Sequence, residues 1–179
     1  MNQTLVAPAI AAPSEAEAAF DALYRSSRDD VFAYVSGLLR DRSAAEDVTA
    51  QAFERAYRRR ASFKPERGTH RAWLFGIARN AALDELRRRS RQAELVGEPE
   101  DTEAAGAHEE AAEAALLRTT LRAALAKLSA RERELVSLKF AGGLTNVEIA
   151  RVLGVSESNA GTRLHRVLTK LREACHEDA

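Results

Sequence analysis

The sequence predicts an all-α chain: two small helical domains joined by an acidic flexible linker, the second a four-helix domain with a helix-turn-helix. Three observations predict it. Apolar residues recur at the spacing of a buried helix face through much of 20–91 and again from Leu117 onward. Ser43 with Glu46, Ser129 with Glu132 and Thr145 with Glu148 stand where helices would begin, each pair able to cap the first turn reciprocally. Between the halves, residues 92–115 turn to Ala, Glu and Gly with Pro99 and no cation, a composition with no core of its own.

Residues 1–19, with Pro8, Pro13 and many alanines, read as a disordered tail, with Ser14 available to cap the first helix. Phe20, Leu23, Tyr24, Val31, Phe32, Val35 and Leu38 predict one or two helices up to Leu39. After the turn at Asp41–Ser43, a helix over Ala44–Arg60 has Val48, Ala52, Phe53, Ala56 and Tyr57 on its apolar side. Its exposed side carries Asp47, Gln51, Glu54, Arg55 and Arg58, a set that by itself describes a salt-bridged solvent face. These elements and the helix after Thr69 make the first domain, 20–91, followed by the linker, 92–115, and the second domain, 116–175.

The formal net charge of zero conceals a strong division. Residues 20–91 carry 16 Lys+Arg against 10 Asp+Glu, and 118–179 carry 11 against seven. Residues 92–117 carry eight acids and no base. Two basic blocks flank an acidic one, and local charge is what a polyanion meets. The single Cys175 excludes an internal disulfide framework, and the four histidines show no paired metal-ligand spacing, so neither metal nor cofactor is expected. No apolar run is long enough to span a bilayer and the N-terminus lacks signal-peptide order, which together predict a cytoplasmic protein without membrane contact.

Ser62–Arg91 concentrates the first domain's chemistry. Pro65 and Gly68 make Lys64–Gly68 a loop, and Thr69 is placed to cap a helix beginning at His70 or Arg71. Leu74, Ile77, Ala78 and Ala81, flanked by Phe75, Ala82 and Leu86, form the face to bury. Trp73, Asn80, Asp84 and Arg87 share another stripe, joining a flat aromatic to groups that can hydrogen-bond an unpaired base and hold its phosphate. A Trp beside a Leu-rich face is also an ordinary core residue, and the Arg87–Arg91 run also suits a solvated helix end.

Leu117, Leu121, Leu125 and Leu128 mark a helix in the second half; a capped helix with Leu135, Val136, Leu138 and Phe140 follows, stopped by Gly142–Gly143. The run Glu148-Ile149-Ala150-x-x-Leu153-Gly154-Val155-Ser156 then supplies what two helices crossing at a tight turn require. Ala150 permits close approach, Gly154 can be left-handed, Val155 plugs the corner and Ser156 caps the second helix. That helix points Ala160, Leu164, Val167, Leu168 and Leu171 inward. Its outer face carries bases and no acid: Ser158, Asn159, Thr162 and Arg163 suit base edges in a major groove, and Arg166 and Lys170 suit phosphates. Gly161 within it has no sequence explanation beyond a close backbone approach.

Ala45-Glu46-Asp47-Val48, Phe53, Arg55-Ala56-Tyr57, Arg71-Ala72-Trp73-Leu74, Ile77-Ala78-Arg79-Asn80, Asp84 and Arg87-Arg88-Arg89 resemble the promoter-melting domain of bacterial sigma factors of the extracytoplasmic-function class. Leu128-Ser129-x-Arg131-Glu132-Arg133-Glu134, the helix-turn-helix and Arg163-Leu164-His165-Arg166 resemble that family's second domain, so the likeness spans about Phe20 to Glu173. The resemblance implies a transcription initiation factor without catalytic residues. It implies that Asp47, Gln51, Glu54, Arg55 and Arg58 dock on core RNA polymerase, and that Lys64, Arg67, His70, Arg71, Trp73, Asn80, Asp84, Arg87 and Arg88 capture the −10 element of promoter DNA. Ser158, Asn159, Thr162, Arg163, Arg166 and Lys170 would read the −35 element, and an anti-sigma factor is an expected partner. The acidic linker would thread the polymerase cleft. Ala50 and Gln51 depart from the usual Gln and acid, and Ser158–Gly161 from the commoner Gly, Thr, Val and Lys, so promoter preference is not transferable. No further domain is expected after Ala179.

Two other classes fit parts of the chain. The second half alone also resembles the DNA-binding domain of LuxR-type regulators, which bind operators without polymerase, but residues 20–91 lack the strand pattern expected of the accompanying sensory domain. An enzyme acting on nucleic acid would need adjacent acids such as Asp29–Asp30 or Glu46–Asp47 to form its metal site, and adjacent helical residues do not converge on one ion.

Overall fold

Seven α-helices carry the described residues, 15–96 and 112–177, of the computed structural model. In chain order these are α1 (Glu15–Leu39), α2 (Arg42–Arg58), α3 (His70–Val96), α4 (Ala112–Ala126), α5 (Ala130–Val136), α6 (Asn146–Leu153) and α7 (Glu157–Glu177). No strand occurs among the described residues. Helix α2 ends at Arg58, short of the expected Arg60; a 3₁₀ turn, Arg60–Ser62, follows it, and a second, Pro65–Arg67, lies within the predicted Lys64–Gly68 loop.

Helix α1 is one uninterrupted helix, and residues 15–19 of the predicted tail form its first turns; residues 1–14 lie outside the described residues. It stops at Arg40, whose φ of 53° places a non-glycine residue in the left-handed region. The expected Ser43–Glu46 capping box does not form. Helix α2 begins earlier, because the Asp41 carboxylate accepts from the Ala44 N–H at 3.0 Å and Ser43 already lies inside the first turn. Glu46 instead accepts from Arg42 at 3.1 Å, one turn back. The other two boxes form in full at Ser129–Glu132 and Thr145–Glu148. Helix α3 continues through Gln92–Val96, and α4 starts at Ala112, so both ends of the predicted linker are helical while 97–111 lie outside the described residues.

The α5 segment ends differently from the expectation of a helix running to the glycines. A π-helical turn, Ser137–Ala141, follows it, with Gly142 N–H donating to the Ser137 carbonyl at 2.8 Å. The wider turn keeps Leu138 fully buried and leaves Phe140 exposed. Leu121, also placed with the apolar set, is largely exposed.

The buried apolar residues form one continuous cluster from Val31 to Ala174. It begins in the α1–α2–α3 bundle, with Val31, Tyr34, Val35, Ala52, Leu74 and Phe75, and continues into α4–α7 with Leu138, Leu144, Ile149, Ala160 and Leu164. The two halves are therefore packed on each other: α1 and α3 lie against α5, the π turn and α6. Gly142 makes part of this possible, since a Cβ there would stand 2.8 Å from the Phe75 ring.

Candidate nucleic-acid interface

Thr69 caps α3 as its sequence position suggests: its hydroxyl accepts from the Ala72 N–H at 3.1 Å. The cap fixes where α3 begins, and so fixes the direction of the Trp73–Asn80 stripe. Loop and stripe together bound a cleft of about 440 Å³, lined by Phe63, Lys64, Arg67, Trp73, Ile77 and Asn80 among others. Phe63 organises its aromatic wall. The His70 ring stacks on Phe63 with centroids 3.6 Å apart, and Trp73 meets it edge-on at 5.7 Å. Trp73 is half-buried, so it serves the core with one part and the cleft with another, while Asn80 is exposed. Lys64 and Arg67, exposed at the mouth, make no ion pair with any described residue.

The remaining residues expected for the −10 strand are tied down to different degrees. Asp84 accepts from Arg87 at 3.2 Å and lies 3.8 Å from Arg55, which links the exposed faces of α2 and α3. Arg88 grips Glu85 with two nitrogens, each 2.7 Å from a carboxylate oxygen, and Glu85 also receives Arg89 at 2.8 Å. The Arg88 hydrogen bond, with Arg89 assisting, pulls the Glu85 carboxyl down to about 2. Arg71 turns away from the cleft altogether. Its guanidinium meets Asp30 at 2.5 Å, the Gly142 carbonyl at 2.6 Å and the Ser27 hydroxyl at 3.3 Å. It is a structural tie here, because the second half brings a carbonyl within its reach.

Asp47, Gln51, Glu54, Arg55 and Arg58 are all exposed on α2. Glu54 and Arg58 pair at 2.7 Å, whereas Asp47 and Gln51 line a depression of about 340 Å³ with Arg88 and Arg89 on its far side.

The helix-turn-helix has the geometry its sequence requires. Gly154 takes φ 68° and ψ 36°, Val155 N–H returns to the Ala150 carbonyl at 3.0 Å, and the Ser156 hydroxyl accepts from the Asn159 N–H at 3.2 Å. Ser158, Asn159, Thr162, Arg163, Arg166 and Lys170 are all exposed on α7. All but Lys170 line one shallow depression of about 460 Å³ together with Ser156. Arg163 and Arg166 make no ion pair with any described residue, while Lys170 is held by Glu132 at 3.1 Å. A Cβ on Gly161 would meet Asn146 at an ordinary 3.7 Å, so the close approach that the sequence suggested does not require glycine.

Sequence reasoning missed three residues that shape these surfaces. Phe63 carried a signal, an aromatic beside the first basic residue of the loop. Arg151 and Glu134 carried none, since their importance comes from contact between the halves. Arg151 reaches the end of the Trp73 cleft with Val152, and Glu134 bonds to Arg79 of α3 at 2.7 Å. Among the described residues, no group of three His, Cys, Asp or Glu side chains could hold a metal, and no helix is long and apolar enough to cross a membrane.

Comparison with known families matches residues 23–92 to sigma-70 region 2 and residues 118–171 to sigma-70 region 4. Among curated relatives, the ECF RNA polymerase sigma factor SigL of Mycobacterium tuberculosis is 34% identical over 172 residues, covering 92% of this chain and 95% of SigL. BldN of Streptomyces coelicolor, also an ECF RNA polymerase sigma factor, is 33% identical over 163 residues, and the match spans 90% of this chain but only 62% of BldN. Among solved structures, the sigma factor RpoE of Bartonella quintana, crystallised with the anti-sigma factor NepR, aligns with a TM-score of 0.73 at 25% identity, over 90% of this chain and 99% of that one. The region 2 match removes the LuxR-type alternative, which accounted for the second half alone. Both regions in order, together with a relative matched over almost its whole length, establish that the chain belongs to the extracytoplasmic-function sigma factors of RNA polymerase.

Proposed function

We propose that this sigma factor joins core RNA polymerase through the exposed face of α2 and directs transcription initiation by reading two promoter elements, one with each half. Asp47, Gln51, Glu54, Arg55 and Arg58 supply the polymerase-facing surface. The cleft between the 62–69 loop and α3 takes an unpaired base of the −10 strand, with Trp73 as its platform, Asn80 at its edge and Lys64 and Arg67 on the phosphates. The outer face of α7 enters the −35 major groove, Asn159, Thr162 and Arg163 toward base edges and Arg166 toward the backbone. The observation that carries the reading is the joining of an aromatic-and-amide cleft to a helix-turn-helix with unpaired arginines in one chain. The factor itself performs no chemistry; polymerase does. A formal net charge of zero suits a protein that binds promoters only in company with polymerase.

An anti-sigma factor is proposed as the regulating partner, supported by the similarity to RpoE, whose structure was solved with NepR. The deciding experiment is run-off transcription with core polymerase on a promoter pool, with and without this protein. New start sites sharing −10 and −35 sequences are expected. Operator binding by the protein alone, with no new transcripts, would overturn the reading.

A further inference from the structure

Arg40, which ends α1, and Arg133 of α5 come together with no carboxylate paired to either among the described residues. The approach of Gly37 to Ser137 of the π turn sets the frame, since a Cβ on Gly37 would stand 3.5 Å from the Ser137 Cβ. Ser36 and Arg40 lie four positions apart at the end of α1, and the Arg40 N–H donates to the Ser36 carbonyl at 3.0 Å. Arg133 and Ser137 are four apart across α5 and the π turn. Each pair therefore shares a helix face beside the Gly37–Ser137 contact.

The groups gathered there are donors without acceptors. A terminal nitrogen of Arg133 donates to the Leu128 carbonyl at 2.8 Å, but its Nε is buried and makes no hydrogen bond. The Ser36 hydroxyl is likewise buried without a partner. Burial, and after it the charge of Arg40, holds the Arg133 guanidinium below its ordinary pKa. The acids nearest in sequence are engaged elsewhere: Asp41 pairs with Arg89 at 2.8 Å, Glu132 with Lys170 at 3.1 Å and Glu134 with Arg79 at 2.7 Å.

A buried donor left unpaired loses its hydration without return, and a neighbouring like charge adds repulsion. Folds keep such groups where a water or an ion completes them. A water would satisfy Ser36 or the Arg133 Nε and leave the two charges opposed; an anion answers both.

We propose that Ser36, Arg40 and Arg133 form a site for a small tetrahedral oxyanion, inorganic phosphate or sulfate, between α1 and α5. Planar guanidinium forks match the oxygens of such an ion in pairs, a geometry that a spherical halide does not offer. The Ser36 hydroxyl donates a further bond. Arg40 and Arg133 come from different halves, so occupancy stabilises the folded chain by mass action.

The test is thermal melting of the full chain against added phosphate, at constant ionic strength with chloride as the balance. Phosphate also stabilises proteins generally, by exclusion from their surfaces, but that effect grows without saturating. The site predicts a saturating rise, which sulfate should reproduce. Arg40→Gly removes a ligand while suiting the left-handed φ of 53°, so the chain should fold. It should raise the phosphate concentration giving half the effect about tenfold or more, the loss of one charge-assisted hydrogen bond. Heteronuclear NMR supplies the second arm. The Arg133 Nε–H signal, identified by its absence in Arg133→Lys, should shift as phosphate is added. A saturating rise unchanged in Arg40→Gly would overturn the site, and so would an Nε–H signal that phosphate does not move. Saturation by chloride with no further response to phosphate would overturn the oxyanion assignment.

Discussion

Trp73 is divided between the core and the cleft. Its half-buried ring backs on Phe63, and the remainder forms a wall of the cleft. Replacing it with Ala should cost about 1–3 kcal/mol in binding a −10 single strand with polymerase, measured by titrating a fluorescent oligonucleotide. Glu85 is the opposite case, a residue whose role is internal. Hydrogen bonds from Arg88 and then Arg89 hold its carboxyl near 2, below the ordinary 4.5. A carboxyl depressed in the fold stabilises above its unfolded value, and that contribution is lost as pH falls from about 4.5 toward 2. Glu85→Gln should therefore lower the melting temperature at pH 7, with the difference from wild type shrinking over that acid window in a thermal-melt series. The same pairing means that Arg88 has fewer donors to offer a phosphate than Lys64 or Arg67, a distinction that residue type alone does not make.

At the scale of the element, caps and turns decide where surfaces point. The Asp41 carboxylate, not the Ser43 hydroxyl, begins α2. Asp41→Ala should cost roughly 0.5–2 kcal/mol in denaturant unfolding, while Ser43→Ala should be close to neutral. Both residues are good cap formers in the abstract; the extended backbone at Asp41, with φ −136° and ψ 117°, selects between them. Helix α7 carries the reverse signal. Gly161 is a weak helix former with room for a Cβ, so Gly161→Ala should raise stability by about 0.5–1 kcal/mol, read from the chemical-denaturation midpoint. The π turn after α5 is an element that periodicity does not reveal, since one wider hydrogen-bonded turn leaves the apolar spacing nearly intact. Its consequences are large: it exposes Phe140 and brings Ser137 and Gly142 against the first half.

Across the whole molecule, the junction between the halves joins a continuous apolar cluster to a set of polar ties, of which those to the buried Glu134 lie deepest. Removing one partner of such a tie leaves the other desolvated and unsatisfied. Arg79→Met should weaken the junction by roughly 1–3 kcal/mol without disturbing either bundle. The expected result in scanning calorimetry is that a single unfolding transition resolves into two, one for each half. A single unshifted transition would show that the apolar contacts alone couple them.

Most helices, the Thr69 cap, two capping boxes and the whole helix-turn-helix were legible in the sequence, because each depends on residues within about four positions of one another. The exposed faces of α2 and α7 were legible for the same reason: helical periodicity assigns a side without knowledge of the neighbour. Tertiary structure alone decided that Arg71 belongs to Asp30 and Gly142, that Phe63 supports His70 and Trp73, and that Glu134 is buried against Arg79 and Tyr34. The Arg71 and Glu134 contacts join residues tens of positions apart, and Tyr34 and Glu134 are separated by 100. Charge and hydropathy patterns identify which residues seek a partner; only the packed chain determines which partner each one finds.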